Sequence, residues 1–294
     1  MAPVQPPSDS YSVEIPAIPS LDEREYRLIR DRVYQESRIN LGNNKQELVS
    51  GRISKRLRHL GMHTYEEYCR FLETGPGQQE LRNLIDAIST NYTSFFREAK
   101  HFEFLQKEIL AKLDDRAVRS DGRKFRVWSA ACSSGEEPYS LAICLADFFS
   151  KRPAWSWKVD ATDISSRMLA AAEAGIYEVG QVKLPNPEWL RRYFQRGFNR
   201  FAGHFRVKPG LREKVQFHHV NLFQARYPFS PGFQVVFCRN VMIYFDRPTQ
   251  HQLIQRITEF LAPGGFLFIG PSESLIGIKH TLRYLQPSIY SKER

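Results

Sequence analysis

The chain has 294 residues, of which 42% are hydrophobic and 13% aromatic, so it can bury a core in one large domain or in a large and a small one. This composition excludes a disordered or fibrous protein. Lys and Arg total 42 against 32 Asp and Glu, a net charge of +10 that favours an acidic partner. Charge alone does not choose between nucleic acid, an anionic membrane and an acidic protein surface.

Cysteine usage and hydropathy indicate the compartment. The four cysteines form no CxxC pair and lie near no His cluster at metal-ligand spacing: Cys69, Cys132, Cys144 and Cys238. We therefore expect free thiols, a reducing environment and no metal site. The N-terminal sequence does not match a signal peptide, and no window reaches the roughly 18 apolar residues of a membrane span. These features predict a cytoplasmic protein.

The first part of the chain is predicted to be helical after a short tail. Residues 1–20 carry five prolines and are expected to be a flexible tail. In residues 21–90 the apolar spacing is that of helices, and nothing has the pattern of a strand. Val49, Ile53 and Leu57 form one helical stripe, and Gly61 is a suitable C-cap. We predict a small all-helical domain, with further helices over 65–72 and 80–88.

From about residue 100 strand-length apolar runs alternate with helical segments. The predicted strands are 125–131, 157–162, 215–219, 234–238 and 266–269, and the main helices 138–149, 165–174 and 249–261. Such alternation is typical of an α/β fold with a parallel sheet covered by helices on both faces. Residues 188–214 fit neither a crossover helix nor a core strand, and we predict a small inserted antiparallel subdomain there. The second domain is predicted over 91–294.

Ligands of open α/β sheets bind beyond the carboxyl ends of the strands, so the loops after the strands are the candidate ligand-binding segments. The first strand is followed by Cys132–Pro138, which holds one glycine, Gly135, and two acids, Glu136 and Glu137. One glycine with added negative charge suits a pyrophosphate badly and a cationic ligand well. The alternative is simply a well-capped helix, with Pro138 at its first position.

The second strand ends in an acid, Asp163, which can accept hydrogen bonds from the two hydroxyls of a ribose. Taken alone, Asp163 could equally be the N-cap of the next helix. A single-glycine turn, loop acids and an acid after the second strand together favour S-adenosylmethionine over NAD or ATP.

Four long motifs, in this order, resemble the chemotaxis receptor methyltransferase family, CheR. They are NYTSFFRE at 91–98, SAACSSGEEPYS at 129–140, FCRNVMIYFD at 237–246 and GGFLFIGPSESL at 264–275. The resemblance covers the chain from about residue 22 to its end. It implies a Rossmann-like class I methyltransferase sheet with an N-terminal all-helical domain and a small inserted β-subdomain. The implied reaction forms glutamyl methyl esters on chemoreceptors for chemotaxis adaptation and yields S-adenosylhomocysteine.

The resemblance also implies roles for residues near the transferred methyl group. Asn91, Thr93 and Arg97 would contact the cofactor or approach its methyl, and Arg239 with Asn240 would line the site. Arg97 is the candidate to orient the incoming carboxylate, because its planar fork matches a carboxylate. A glutamate is already ionised at pH 7, so no strong general base is required.

For the rest of the cofactor the resemblance implies a second group of residues. Glu137 would bind the methionyl end, Asp163 the ribose, and Asn221 with Leu222 would frame the adenine. Tyr244 would face the methyl and is the second residue predicted to be catalytic.

Each implied role has a structural alternative. Asn91 or Thr93 could cap a helix that begins near Phe95. Tyr244 could be a buried aromatic residue whose hydroxyl is satisfied, and Arg239 could bridge to a structural carboxylate.

Substrate recognition is predicted on the second helix. Arg52, Lys55 and Arg56 lie on one face of it, and the resemblance implies that the helical domain contacts the Glu-rich helical bundle of methyl-accepting chemoreceptors. A solvated helix face is the alternative. In some members of the family the inserted subdomain docks a peptide at the receptor's C-terminus. The membrane would be met only indirectly, through receptors.

Two other functions are alternatives. A nucleic-acid methyltransferase fits the charge of +10, but an amino methyltransferase site of the Asn-Pro-Pro-Tyr type is replaced here by Cys238-Arg239-Asn240-Val241. We therefore expect no nucleic-acid partner. The second alternative is a non-catalytic signalling module that only binds S-adenosylmethionine.

Overall fold

The computed structural model describes residues 20–113 and 123–293. Nearly all of the predicted proline-rich tail lies outside these residues. The described chain forms an N-terminal helical part and a larger α/β part, which agrees with the predicted fold class.

The helical part consists of α1 (Glu23–Ser37), α2 (Gln46–Leu60), α3 (Tyr65–Leu72) and α4 (Gly75–Ile88). A capping box starts α1, because Asp22 and Glu25 each accept the other's backbone N–H. The predicted apolar stripe of α2 is fully buried, and Gly61, with φ of 69°, is the C-cap of α2 as predicted. Helix α4 begins five residues before the predicted position 80, because Thr74 caps its Gly- and Pro-containing first turn.

The described part of the chain contains ten strands. They are β1 (Lys124–Ala130), β2 (Ser156–Asp163), β3 (Ile176–Glu178), β4 (Phe194–Arg196), β5 (His204–Val207), β6 (Val215–His219), β7 (Phe233–Cys238), β8 (Leu261–Ile269), β9 (Arg283–Gln286) and β10 (Ile289–Ser291). Seven form one sheet in the order β6-β2-β1-β7-β8-β10-β9. The first five strands in this order are parallel, and β10 pairs antiparallel with β8 and β9.

In the described ranges six further α-helices accompany the strands. They are α5 (Ala99–Phe104), which a π-helical turn extends over Leu105–Leu110, α6 (Glu136–Phe149), α7 (Ser166–Ala174), α8 (Pro187–Tyr193), α9 (Pro209–Arg212) and α10 (Arg247–Phe260). Strand β8 begins before the predicted residue 266, because Pro263, Gly264 and Gly265 interrupt its apolar run without ending the strand.

The small antiparallel sheet has the order β3-β5-β4. Its first strand precedes the range 188–214 that was predicted for the insert, so the subdomain begins earlier than the pattern indicated. Strands of three or four residues are too short to show the alternation on which a strand prediction rests.

The carboxyl ends of the parallel strands meet at one edge of the large sheet, where the helical part also packs. In the registers, Asp163 lies opposite His219, and Cys238 lies opposite Ala130. The two parts of the chain are joined there by a hydrogen bond from Asn40 N–H to the Tyr244 carbonyl at 2.8 Å. The loops after the strands therefore face residues of the helical domain.

Within the described ranges, no helix is both long and apolar enough to cross a membrane. The cytoplasmic location stays a prediction.

Arg56 on α2 is not a free surface cation, which corrects the expected basic face. Its Nε and Nη2 donate to Glu80 at 2.8 and 2.6 Å, and Glu80 is only 3% exposed. Tyr68 and Asn83 donate to the same carboxylate. Arg56 therefore ties α2 to α4, whereas Arg52 remains exposed.

Substituting Arg56 by Ala is expected to lower the free energy of unfolding by about 3 kcal/mol, because it leaves the Glu80 carboxylate buried without its ion-pair partner. Arg52→Ala, on the exposed side of the same helix, is the matched control, with an expected change within about 0.5 kcal/mol. Urea unfolding of both variants measures the difference. Equal stabilities would contradict a structural role for the Arg56–Glu80 pair.

Candidate active site

A cavity opens at the carboxyl edge of the sheet. All ten residues predicted to bind the cofactor or to be catalytic line it: Asn91, Thr93, Arg97, Glu137, Asp163, Asn221, Leu222, Arg239, Asn240 and Tyr244. The structure thus brings them together from five separate stretches of sequence, and their individual roles stay predictions.

Glu137 stands in the first turn of α6, directly after the tight turn that follows β1. The turn requires Gly135, whose φ is 97° and whose missing Cβ would lie 2.8 Å from the Ala172 Cβ. Pro138 is the third residue of the helix, not the first as expected. The Glu137 carboxylate accepts from the Ser129 hydroxyl at 2.7 Å and is buried. It carries negative charge into the cavity wall.

Arg239 binds two carboxylates at once. Its Nε donates to Glu137 at 2.7 Å and its Nη1 to Glu98 at 2.9 Å, while its side chain is 2% exposed. Nη1 also donates to the Arg97 carbonyl at 2.8 Å. Arg239 therefore forms the alternative bridge to carboxylates and also lines the cavity. Arg239 holds Glu137 and the segment around Arg97 in fixed positions.

His101 is buried beside Arg239 and Glu98. The Arg239 Nη1 lies 3.2 Å from its Nδ1, and Phe237 and Phe268 pack on its ring. Burial, and secondly the positive charge of Arg239, lower the pKa of His101 to about 4. The imidazole is therefore neutral at pH 7 and can accept a hydrogen bond from the guanidinium.

This pKa predicts a pH-dependent stability. Between pH 6.5 and about 4 the unfolded chain binds a proton at His101 that the folded chain does not, so acid favours unfolding. The free energy of unfolding of the wild type, minus that of His101→Gln, should fall by about 3 kcal/mol as the pH drops through this window. Urea unfolding at stepped pH measures it. Parallel curves for the two proteins would show that His101 is not the group responsible.

Asp163 ends β2 and is 6% exposed. Its oxygens accept one backbone N–H each, from Ser133 at 2.8 Å and from Ser165 at 2.9 Å. Burial raises the pKa of this carboxyl, and the two N–H groups oppose the shift. The alternative role as a helix N-cap is wrong, because Ser165 caps α7. A carboxylate has about four acceptor positions, so Asp163 retains capacity for further donors.

The adjoining part of the cavity is apolar and includes residues of the helical domain. Leu222 and Ile164 line it, together with Ile39 from the segment after α1. The Asn221 side chain donates to the Glu36 carbonyl at 2.7 Å, which joins this wall to the end of α1. This apolar wall suits a flat aromatic ring.

Arg97 and Tyr244 also line the cavity. Arg97 is 30% exposed, its Nη1 donates to the Tyr92 carbonyl at 2.8 Å, and its guanidinium lies over the Tyr92 ring. The Tyr244 hydroxyl donates to the Thr90 carbonyl at 3.1 Å. Among the described residues Arg97 Nη2 has no hydrogen-bond partner, so it is available to a ligand.

The expectation that Asn91 or Thr93 caps a helix near Phe95 is wrong. Helix α5 begins at Ala99 and its N-cap is Glu98, whose φ is 62°. The segment 91–98 before it contains no helix, and its residues Asn91 and Thr93 line the cavity instead.

Several residues at the site were not predicted. Glu98 pairs with Arg239, the Ser133 hydroxyl donates to the Asn91 carbonyl, and Glu273 holds the backbone around Asn240. Glu98, Ser133 and Glu273 lie within the motifs quoted above, which was the available signal. Ile39 gave no such signal, because in the sequence an apolar residue after a helix cannot be distinguished from a residue of the hydrophobic core.

The cavity fits S-adenosylmethionine by its chemistry. An apolar wall at Leu222 and Ile164 suits an adenine ring, and Asp163 beside it suits ribose hydroxyls. Glu137 provides a carboxylate for an ammonium or sulfonium group. A pyrophosphate would meet two buried acids instead of a glycine-rich nest, which argues against NAD.

A mostly parallel α/β sheet with an acid-lined cavity at its carboxyl edge defines a class I S-adenosylmethionine-dependent methyltransferase. The CheR methyltransferase S-adenosylmethionine-binding domain matches residues 91–290, and the CheR methyltransferase all-alpha domain matches residues 24–89. The chain belongs to the CheR methyltransferase family.

The sequence is similar to those of curated relatives over nearly their whole length. A chemotaxis protein methyltransferase of Borreliella burgdorferi is 40% identical, over 88% of this chain and 91% of the relative. That of Salmonella typhimurium is 39% identical, over 92% and 91%. That of Escherichia coli is 38% identical, over 92% of each chain.

Proposed function

We propose that this enzyme is a protein-glutamate O-methyltransferase that forms glutamyl methyl esters on chemoreceptors in chemotaxis. The family and the chemotaxis names of its relatives support a chemoreceptor substrate. The observation that carries the ester chemistry is the placement of Arg97. It is a partly exposed guanidinium with an available Nη2 beside the acid-lined cofactor cavity.

The residues of the site orient two reactants instead of generating a nucleophile. Bound S-adenosylmethionine supplies an electrophilic methyl group on a sulfonium. A substrate glutamate is ionised at pH 7 and attacks without a general base. Arg97 Nη2 holds one carboxylate oxygen and leaves the other free, because a symmetric ion pair would weaken the nucleophile. Tyr244, fixed through Thr90, closes the side of the site and helps exclude water.

The glutamate reaches Arg97 when the helical domain docks on the substrate. Arg52 and Lys55 are exposed on α2 and attract a Glu-rich helical bundle. Arg56 contributes by holding α2 in place, since its guanidinium is engaged by Glu80.

The test is transfer of the labelled methyl group. The protein is incubated with methyl-labelled S-adenosylmethionine and chemoreceptor-containing membranes, and the receptor band is treated with base. Label released as methanol is expected from a glutamyl ester. The matched control is a receptor in which glutamine replaces every glutamate of the methylation region. It is assayed in parallel, before any of these glutamines is deamidated, and should remain unlabelled.

Other outcomes distinguish the alternatives. Base-stable label on RNA or DNA would support a nucleic-acid methyltransferase. Binding of S-adenosylhomocysteine in calorimetry, without label on any acceptor, would support a non-catalytic module and overturn the proposal.

A further inference from the structure

One buried carboxylate accepts hydrogen bonds from the backbone N–H groups of two loops beside the cavity. Glu273, in the loop after β8, is 9% exposed. Its Oε2 accepts the N–H groups of Gly270 at 2.6 Å and Asn240 at 2.9 Å. Its Oε1 accepts those of Met242 at 2.7 Å and Ile243 at 3.3 Å. Both oxygens are thus engaged by main-chain donors, three of which belong to the loop after β7.

The loop held in this way forms part of the cavity wall. Asn240 has φ of 57°, a left-handed conformation that asparagine adopts more readily than most residues other than glycine. The hydrogen bond from its N–H to Glu273 helps to fix this turn. Asn240, Val241 and Tyr244 all line the cavity, whereas Glu273 does not.

Gly270 provides independent evidence that the two loops are closely fitted. A Cβ at this position would lie 2.7 Å from the Asn240 Nδ2, 2.9 Å from the Asn240 N and 2.9 Å from the Glu273 Oε2. Such distances leave no room for even a methyl group. The loop after β8 therefore supports Asn240 through both a hydrogen bond and a close steric contact.

We propose that Glu273 is a positioning residue for methyl transfer, whose carboxylate fixes the loop 240–244 and so places Asn240 and Tyr244 at the cofactor cavity. It acts through backbone N–H groups and does not touch the reacting atoms. An acid is required because each of the two side-chain oxygens must accept hydrogen bonds from backbone N–H groups. A glutamine has a single acceptor oxygen, and its amide hydrogens would face backbone N–H groups.

The test is Glu273→Gln, with S-adenosylhomocysteine affinity from calorimetry and turnover at saturating S-adenosylmethionine. Both are measured at a temperature where circular dichroism shows the variant to be folded. We expect the Kd to rise and kcat to fall by about tenfold or more each, because at least one buried hydrogen bond is lost and the loop moves. Gly270→Ala disturbs the same contact from the other side and should have the same effect on both quantities.

Glu80→Gln is the matched control for loss of a buried glutamate, since Glu80 lies 3% exposed in the helical domain. It should lower the melting temperature without changing the affinity for S-adenosylhomocysteine. If Glu273→Gln likewise lowers only the melting temperature, and leaves Kd and kcat unchanged, Glu273 is merely structural and the proposal is overturned.

The turnover measurement rests on the proposed function, but the affinity measurement does not. Wild-type protein that binds S-adenosylhomocysteine and esterifies no receptor would contradict the proposed function alone. Wild type and Glu273→Gln with equal affinity would contradict this inference alone.

Discussion

Arg97→Ala should lower turnover at saturating S-adenosylmethionine by about 100-fold, because the incoming carboxylate loses the group that orients it. Saturation removes any contribution of Arg97 to cofactor affinity from the measurement. Arg97→Lys keeps the charge and loses the planar fork, so we expect a smaller decrease of about tenfold. Initial rates of methyl ester formation on receptor membranes measure both variants.

The control for Arg97 is Lys100→Ala, which removes an exposed cation three residues away that does not line the cavity. Its turnover should equal that of the wild type. Full activity of Arg97→Ala would remove Arg97 from the mechanism. An equal loss of turnover in Arg97→Ala and Lys100→Ala would show that the loss comes from surface charge.

Asp163→Asn should raise the Kd for S-adenosylhomocysteine by about 100-fold. Two hydrogen bonds from the ribose to a charged group, at about 1.5 kcal/mol each, correspond to that factor. An amide also has too few acceptor positions for both the ribose and the Ser133 and Ser165 N–H groups. Calorimetric titration with S-adenosylhomocysteine measures the change.

Asp160→Asn separates a loss of binding from a loss of stability. Asp160 is a fully buried acid on the same strand, held by Lys158, Arg126 and His218, and it does not line the cavity. This variant should be less stable and bind the cofactor product normally. If Asp163→Asn binds as tightly as the wild type, Asp163 does not hold the ribose.

The sequence by itself determined the five parallel strands and the main helices, but not the short strands β3, β4, β5, β9 and β10. The α2 stripe was readable because burial repeats with the helical period, and β6 was predicted at its observed bounds, Val215–His219. Asp163 and Glu137 were found because ligand sites of parallel sheets follow the strand ends, a local property of the chain. The roles of individual site residues depended on the resemblance of long motifs.

Only the tertiary structure decided what these side chains touch. Arg56 and Arg52 look alike in sequence, yet Arg56 is paired with Glu80 and Arg52 is exposed. Ile39 became part of the cofactor cavity, and Glu273 the acceptor for the loop around Asn240, through contacts between distant segments. Periodicity reports which face of an element is buried. It does not report which groups meet there, because that depends on how separate elements pack.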